Sequence, residues 1–172
     1  MLRLPRFLPS SRSPVDAAVD SVMSSLDQTA PLTDTNAVIE AGASACGSPI
    51  TVKDEAMPRG RYGMCTKAVT GEHVIIVDTD LSGDLRLHTV LHELGHILLG
   101  HNDVPTHSAP DRLTALLTGA PALPAPAACV APEYRQLAQR ENEAEQFAST
   151  VARRLRRGLT SGHLSRLDEA FG

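Results

Sequence analysis

The sequence predicts an α+β fold in which a small antiparallel or mixed sheet packs against helices. Three short stretches that favour strands lie between residues 49 and 78. Apolar residues recur at helical spacing both before and after these stretches, which indicates amphipathic helices on either side of the sheet. The length of 172 residues suits one domain with a terminal tail.

Residues 1–14 are rich in proline and serine, and we expect them to form a disordered tail. They lack the continuous apolar stretch of a secretory signal. Residues 15–172 are predicted to form a single domain. A first helix is expected after Pro14. Its apolar face consists of Val15, Ala18, Val19, Val22 and Leu26.

A second short helix is expected to run through Ala45, with Thr33 or Asp34 as its N-cap. Turn signals rich in glycine and proline then separate three strand candidates. The last of these has the clearest run of β-branched residues. The strand candidates are residues 49–52, 61–67 and 72–78.

A third helix is predicted over residues 83–99. Ser82 is a candidate N-cap, and Asp84 in the first turn complements the helix dipole. Gly100 is placed to end the helix at the C′ position.

Residues 102–132 form a proline-rich insertion, interrupted by a short predicted helix at 111–117. The insertion is too long for a simple connector. It is interpreted either as a mobile lid or substrate-binding rim, or as a disordered insertion.

A long final helix is predicted over residues 133–157, with Pro132 at its first position. Four arginines precede Gly158, where they suit a helix C-terminus and solvent. A DNA-binding role for these arginines is the weaker interpretation, because no recognition motif accompanies them. The apolar stripe of this helix consists of Leu137, Ala144, Phe147, Ala148, Val151 and Leu155.

Composition excludes several classes of function. The 16 basic and 20 acidic residues give a net charge of -4, so we expect no general polyanion-binding surface and no direct nucleic-acid partner. The three cysteines lie far apart, which argues against a disulfide framework and favours a cytoplasmic protein with reduced thiols. No apolar run approaches the roughly 20 residues that span a membrane.

The helix over residues 83–99 carries an H-E-x-x-H motif, His92-Glu93-Leu94-Gly95-His96. Histidines at positions i and i+4 share one helix face, so both imidazoles can bind a single zinc ion. Glu93 is then placed to take a proton from a zinc-bound water. A surface helix with two unrelated histidines is the simpler alternative. The apolar flanks favour a metal, because buried polar side chains need partners.

A catalytic zinc usually takes a third protein ligand. His101 misses the spacing of the long metzincin pattern by one residue, and the motif histidines are expected to point away from it. It is interpreted as a loop residue near the site. His88 would be a third ligand from the same helix, which gives poor tetrahedral geometry.

The final helix is the better source of the third ligand. At 100° per residue, Glu141 lies close to the apolar stripe, whereas Glu143 and Glu145 lie on its two flanks. Glu143 remains the alternative ligand. Glu145 is placed to accept a hydrogen bond from a ligand histidine.

Residues 91–101 and 141–148 together resemble the ImmA/IrrE family of metallopeptidases, and the likeness covers roughly residues 45–152. The resemblance implies a minimal gluzincin-like metalloprotease that uses one zinc ion. It implies His92, His96 and Glu141 as zinc ligands and Glu93 as the general base. The proline-rich insertion is longer than this family predicts, and we find no helix-turn-helix pattern within these 172 residues.

The resemblance also implies an endopeptidase that cleaves a helix-turn-helix repressor during a stress, phage or mobile-element response. The alternative is a non-catalytic, zinc-bearing regulatory module that binds a repressor or anti-repressor. An intact Glu93 argues against that alternative, because binding alone needs no general base. The residue that would stabilise the oxyanion is left open among four candidates: Tyr62, His101, His107 and Tyr134.

Overall fold

The computed structural model describes residues 12–26, 35–101 and 132–171, and side chains within the last range for residues 135–157. These parts of the chain form four helices and a three-stranded mixed sheet, which confirms the α+β class. The predicted caps Thr33 and Asp34, the predicted helix at 111–117 and nearly all of the proline-rich insertion lie outside the described residues. The elements are α1 (Pro14–Ser25), α2 (Thr35–Cys46), β1 (Ile50–Glu55), β2 (Gly63–Lys67), β3 (His73–Asp78), α3 (Gly83–Leu98) and α4 (Pro132–Phe171).

Helix α1 begins slightly before the predicted domain boundary. Ser13 is its N-cap, and the Ser13 hydroxyl accepts a hydrogen bond from the Asp16 amide at 3.1 Å. Pro14 follows as the first helical residue, where its missing N–H costs nothing. Ser13 and Pro14 therefore form the start of the helix.

The sheet has the strand order β1-β3-β2, with β3 in the centre. Strand β1 runs parallel to β3, and β2 runs antiparallel to it. Along β3, buried and half-buried residues alternate, and Ile75 and Val77 are fully buried. This period of two directs one face of the strand into the core. Strand β2 forms one edge of the described sheet.

Helices α3 and α4 pack directly on each other, and α3 also lies against β2 and β3. The apolar stripe predicted for α4 is confirmed for its five C-terminal members, whereas Leu137 is only half-buried. The buried members are Ala144, Phe147, Ala148, Val151 and Leu155. The shared core therefore brings the H-E-x-x-H helix against the acidic stretch of the final helix.

The end predicted for the final helix at residue 157 is wrong, because α4 continues to Phe171. A glycine inside a helix costs only about 1 kcal/mol relative to alanine, so Gly158 does not have to stop it. The arginines consequently lie within the helix. Arg153, Arg156 and Arg157 are exposed, and Arg154 binds Asp20 of α1 at 2.8 Å.

Cys46 and Cys65 are free thiols, and Cys129 lies outside the described residues. None of the helices in the described ranges combines the length and the apolar character needed to cross a bilayer.

Candidate metal centre

The H-E-x-x-H motif occupies the C-terminal half of α3. Its two histidines lie one turn apart, and their Nε2 atoms are 3.1 Å from each other. The side chain of His96 is fully buried, and that of His92 is 18% exposed. Both rings therefore direct the same nitrogen into one partly enclosed space.

Glu141 of α4 closes this space from the opposite side. Its Oε2 atom lies 3.4 Å from His92 Nε2, and its Oε1 atom lies 3.5 Å from His96 Nε2. Zinc bonds of about 2.0–2.1 Å at a tetrahedral angle place ligand atoms about 3.3 Å apart. The two histidine nitrogens, 3.1 Å apart, fit that spacing, and each lies 3.4–3.5 Å from a different oxygen of Glu141. With one oxygen taken from Glu141, the three ligand atoms lie within 4.8 Å of one another. These three side chains can hold one metal ion.

The approach of Glu141 depends on a close helix contact one turn further along. A Cβ atom on Gly95 would lie 3.1 Å from Phe147 Cδ1 and 3.2 Å from the Ala144 Cα atom. Real Cβ atoms rarely come so close to a neighbour, so α3 and α4 meet here backbone to backbone. Glycine inside the motif thus allows a carboxylate from α4 to reach the two histidines.

We expect Gly95→Val to lower the zinc affinity strongly and to lower the free energy of unfolding only moderately. The added methyl groups push Ala144 away, together with the preceding turn of α4 that carries Glu141, and overpacking of this kind costs about 1–3 kcal/mol. Chelator competition and thermal unfolding measure the two effects, with the exposed Ala138→Val of α4 as the control. Equal zinc affinity in Gly95→Val and wild type would show that the close contact does not position Glu141.

Glu93 is 1% exposed and lies beneath strand β2. Burial raises the pKa of Glu93 to about 7, although the charge of His92 and hydrogen bonds from Cys65 oppose the shift. Glu93 Oε2 is enclosed and has no hydrogen-bond partner among the described residues. A carboxyl group with a pKa near neutrality can both accept and release a proton, as general acid–base catalysis requires.

Gly63 leaves room for Glu93 at the start of β2. A Cβ atom at Gly63 would lie 2.6 Å from Thr89 Cγ2 and 3.1 Å from Glu93 Oε1. Any larger residue would therefore displace the strand or the Glu93 carboxylate. The edge strand and the candidate base consequently lie in direct contact.

Glu145 lies behind His92, on the side away from the candidate metal position. Its Oε2 atom is 3.5 Å from His92 Nδ1 and 3.1 Å from His88 Nε2. The hydrogen bonds from His88 and His92 lower the pKa of Glu145 far below its usual range. This is the place predicted for Glu145, and His88 is an outer partner rather than a ligand.

His101 is closer to the site than the sequence predicts. It is buried, and its Nδ1 atom lies 3.1 Å from His96 Nδ1. The expectation that the motif histidines point away from His101 is therefore wrong for His96. Glu143, the alternative ligand, contacts His101 Nε2 at 3.1 Å instead of the candidate metal position.

The end of α3 explains this contact. Gly100 has a φ of +71°, its amide donates to Ile97 O at 3.2 Å, and the His101 amide donates to His96 O at 2.9 Å. These are the two hydrogen bonds of a Schellman motif, in which the residue after the glycine packs on the residue five positions before it. The glycine at the C′ position, Gly100, is the sequence feature that could have predicted the contact between His101 and His96.

Zinc binding is expected to weaken as the pH falls from about 8 to about 6. Burial alone lowers the pKa of His92, but hydrogen bonds to Glu141 and Glu145 and the charge of Glu93 outweigh it and raise the pKa to about 9. Zinc must then displace a proton from His92, so affinity should fall by at least about tenfold per pH unit below that pKa. Calorimetric titrations across this range measure the effect. An affinity that does not change with pH would contradict it.

A comparison with protein-family models, curated protein sequences and solved structures finds no match to this chain. The described residues bring together His92, His96 and Glu141, with Glu93 adjacent on α3.

Of the oxyanion candidates, His101 lies on the Nδ1 side of His96, away from the Nε2 atom that faces the other ligands. Tyr62 packs partly against the core, and the other two candidate side chains lie outside the described part of the chain.

Proposed function

We propose that the protein is a zinc-dependent endopeptidase with a gluzincin-like catalytic domain. One observation carries the proposal: the Nε2 atoms of His92 and His96 on α3 lie 3.1 Å apart, and each has an oxygen of the Glu141 carboxylate on α4 within 3.5 Å. A buried carboxyl group with a pKa near 7 adjoins them on α3. A hydrolytic zinc site of this type has two histidines and one carboxylate as ligands, and a separate carboxyl group as the base.

The residues divide the chemistry between them. His92, His96 and Glu141 would hold zinc, and the ion would polarise the scissile carbonyl and acidify the attacking water. Glu93 accepts the proton of that water and then delivers it to the leaving amine. The enclosed position of Glu93 keeps bulk water from competing for this proton.

An extended peptide is the substrate class that suits the surroundings of Glu93. Strand β2 lies at the edge of the described sheet and contacts Glu93 through Gly63. Extended peptides bind proteins by adding a strand to a sheet edge. Such a peptide beside β2 would bring its backbone carbonyls towards the candidate base and the candidate zinc ligands.

A helix-turn-helix repressor is the proposed natural substrate. This part of the proposal rests on the resemblance of residues 91–101 and 141–148 to the ImmA/IrrE metallopeptidases. Site-specific cleavage of such a repressor would switch on the genes that it controls in a stress, phage or mobile-element response.

The test compares wild type with Glu93→Gln, each incubated with zinc and a lysate of the source cell. New protein N-termini are then identified by mass spectrometry. Fragments that form only with wild type are expected, and they would name the substrate. Identical sets of N-termini in the two samples, with both proteins holding zinc, would contradict the peptidase.

That contradictory result would favour the second candidate, a zinc-bearing regulatory module that holds a repressor or anti-repressor without cleaving it. The same ligand geometry supports this candidate, because a structural zinc needs no base. The buried Glu93 favours the peptidase, since burying a carboxyl group is costly and proton transfer gives a reason for it that a purely structural zinc site lacks.

A further inference from the structure

A chain of three side chains leads from His96 to the surface of α4. His96 Nδ1 lies 3.1 Å from His101 Nδ1, and His101 Nε2 lies 3.1 Å from Glu143 Oε2. His96 and His101 are both buried, whereas the Glu143 side chain is 28% exposed. Each ring nitrogen of His101 therefore has one polar neighbour, and the two neighbours differ in kind.

The chemistry of Glu143 sets the direction of these hydrogen bonds. A carboxylate only accepts, so His101 must donate from Nε2. A neutral imidazole carries one hydrogen, which leaves His101 Nδ1 as an acceptor. His96 must then donate from its own Nδ1, and its Nε2 keeps a lone pair. That Nε2 is the atom that faces His92 and Glu141.

Two further contacts hold the relay in place. Gln139, one turn before Glu143 on α4, donates its side-chain amide to Glu143 Oε1 at 2.8 Å. At the other end, the Gly100 turn fixes the backbone of His101 through its hydrogen bond to His96 O. Gln139 therefore orients the carboxylate of Glu143, and the backbone of the Gly100 turn orients the imidazole of His101.

We infer that Glu143, acting through His101, is a positioning residue that fixes the tautomer of His96 with its Nε2 lone pair towards the metal. This inference rests on the metal site of the proposed function. Partners behind ligand histidines commonly orient the ring and strengthen metal binding. Here α4 supplies the ligand carboxylate Glu141 and a carboxylate for each histidine. Glu145 acts on His92 directly, and Glu143 acts on His96 through one intervening ring.

The experiment uses variants that remove the acceptor or the intervening ring. Glu143→Leu keeps a side chain of similar size but accepts no hydrogen bond, whereas Glu143→Gln retains one acceptor oxygen. His101→Phe fills the buried space without ring nitrogens. Glu40→Leu, an exposed site on α2, is the control for the loss of a surface carboxylate.

Two quantities are measured in each full-length variant. Zinc affinity by chelator competition is expected to fall about 10–100-fold in Glu143→Leu and His101→Phe. It should recover to within a few-fold in Glu143→Gln and remain unchanged in Glu40→Leu. Nitrogen-15 NMR of the zinc-free protein should find the His96 hydrogen on Nδ1 in wild type and shared between both nitrogens in Glu143→Leu.

The outcomes separate the relay from the metal site. If wild type binds zinc and Glu143→Leu binds it equally tightly, the inference is overturned while the proposed function stands. Lower affinity with an unchanged His96 tautomer would also overturn it, because Glu143 would then support only the fold. If wild type binds no zinc, the proposed function fails, and the inference, which rests on it, fails with it. Because Glu143 is partly exposed, its variants test the relay even if His101→Phe does not fold.

Discussion

Replacement of Glu141 by alanine is expected to abolish zinc binding and hydrolysis together. Glu141 Oε2 and Oε1 lie 3.4 and 3.5 Å from the Nε2 atoms of His92 and His96, so the substitution removes one of three protein ligands. The loss of affinity should exceed the roughly 10–100-fold typical of residues behind the ligands. His92→Ala should have the same double effect, because it removes a ligand from α3.

Metal content after dialysis, zinc affinity and thermal unfolding with and without zinc measure this prediction. Zinc should raise the unfolding temperature of wild type and leave that of Glu141→Ala unchanged, because a ligand stabilises only the state that binds it. Gln146→Ala, at an exposed position on the same helix, is the matched control. A Glu141→Ala protein that retains one zinc ion would show that another residue supplies the third ligand.

Replacement of Glu93 by glutamine is expected to retain zinc and remove hydrolysis. Glutamine has nearly the same shape but cannot accept the proton of the attacking water. General acid–base catalysis contributes about 10²–10⁴-fold in rate, so turnover should fall by that factor or more. The fold should tolerate the change, because burial already raises the pKa of Glu93 to about 7 and thus favours its neutral form.

Initial rates on an identified peptide substrate and zinc content together measure the effect. Asp84→Asn, in the exposed first turn of α3, removes a carboxylate from the same helix and should leave both quantities unchanged. Unchanged hydrolysis in Glu93→Gln would refute the assignment of Glu93 as the base. Loss of zinc in this variant would instead assign Glu93 a role in forming the site.

The local parts of the site follow closely from the sequence. The i, i+4 spacing puts His92 and His96 on one face of α3, and helical periodicity puts Glu141 beside the apolar stripe of α4. Because that stripe must pack on another apolar surface, these two helices meet. Strands β1 and β3 likewise follow from short runs of β-branched residues with turn signals between them, whereas β2 has only Thr66 of this kind.

The contacts that depend on exact packing are harder to predict. Nothing in the periodicity of α3 reveals that Gly95 meets the backbone of Ala144, although this contact sets how far Glu141 reaches. The role of His101 depends on the backbone geometry at Gly100, where a left-handed residue turns the chain back onto His96. The metzincin consensus considers only how many residues separate the histidines, so matching His101 to it does not reveal this turn.

The C-terminal end of the final helix is also hard to predict from the sequence. Gly158 after a run of arginines indicates a helix end, but the cost of glycine, about 1 kcal/mol, is small for a helix anchored by a long buried stripe. The helix therefore passes through residue 158, and the arginines before it lie within the helix rather than at its end.

The most direct measurement is a crystal structure of the zinc-loaded protein with anomalous differences recorded on both sides of the zinc absorption edge. We predict one zinc peak bonded to His92 Nε2, His96 Nε2 and a Glu141 oxygen, at about 2.0–2.2 Å each. We also expect Glu93 to adjoin the fourth coordination position without bonding to the ion. A zinc peak elsewhere, or none at these three side chains, would contradict the proposed metal centre.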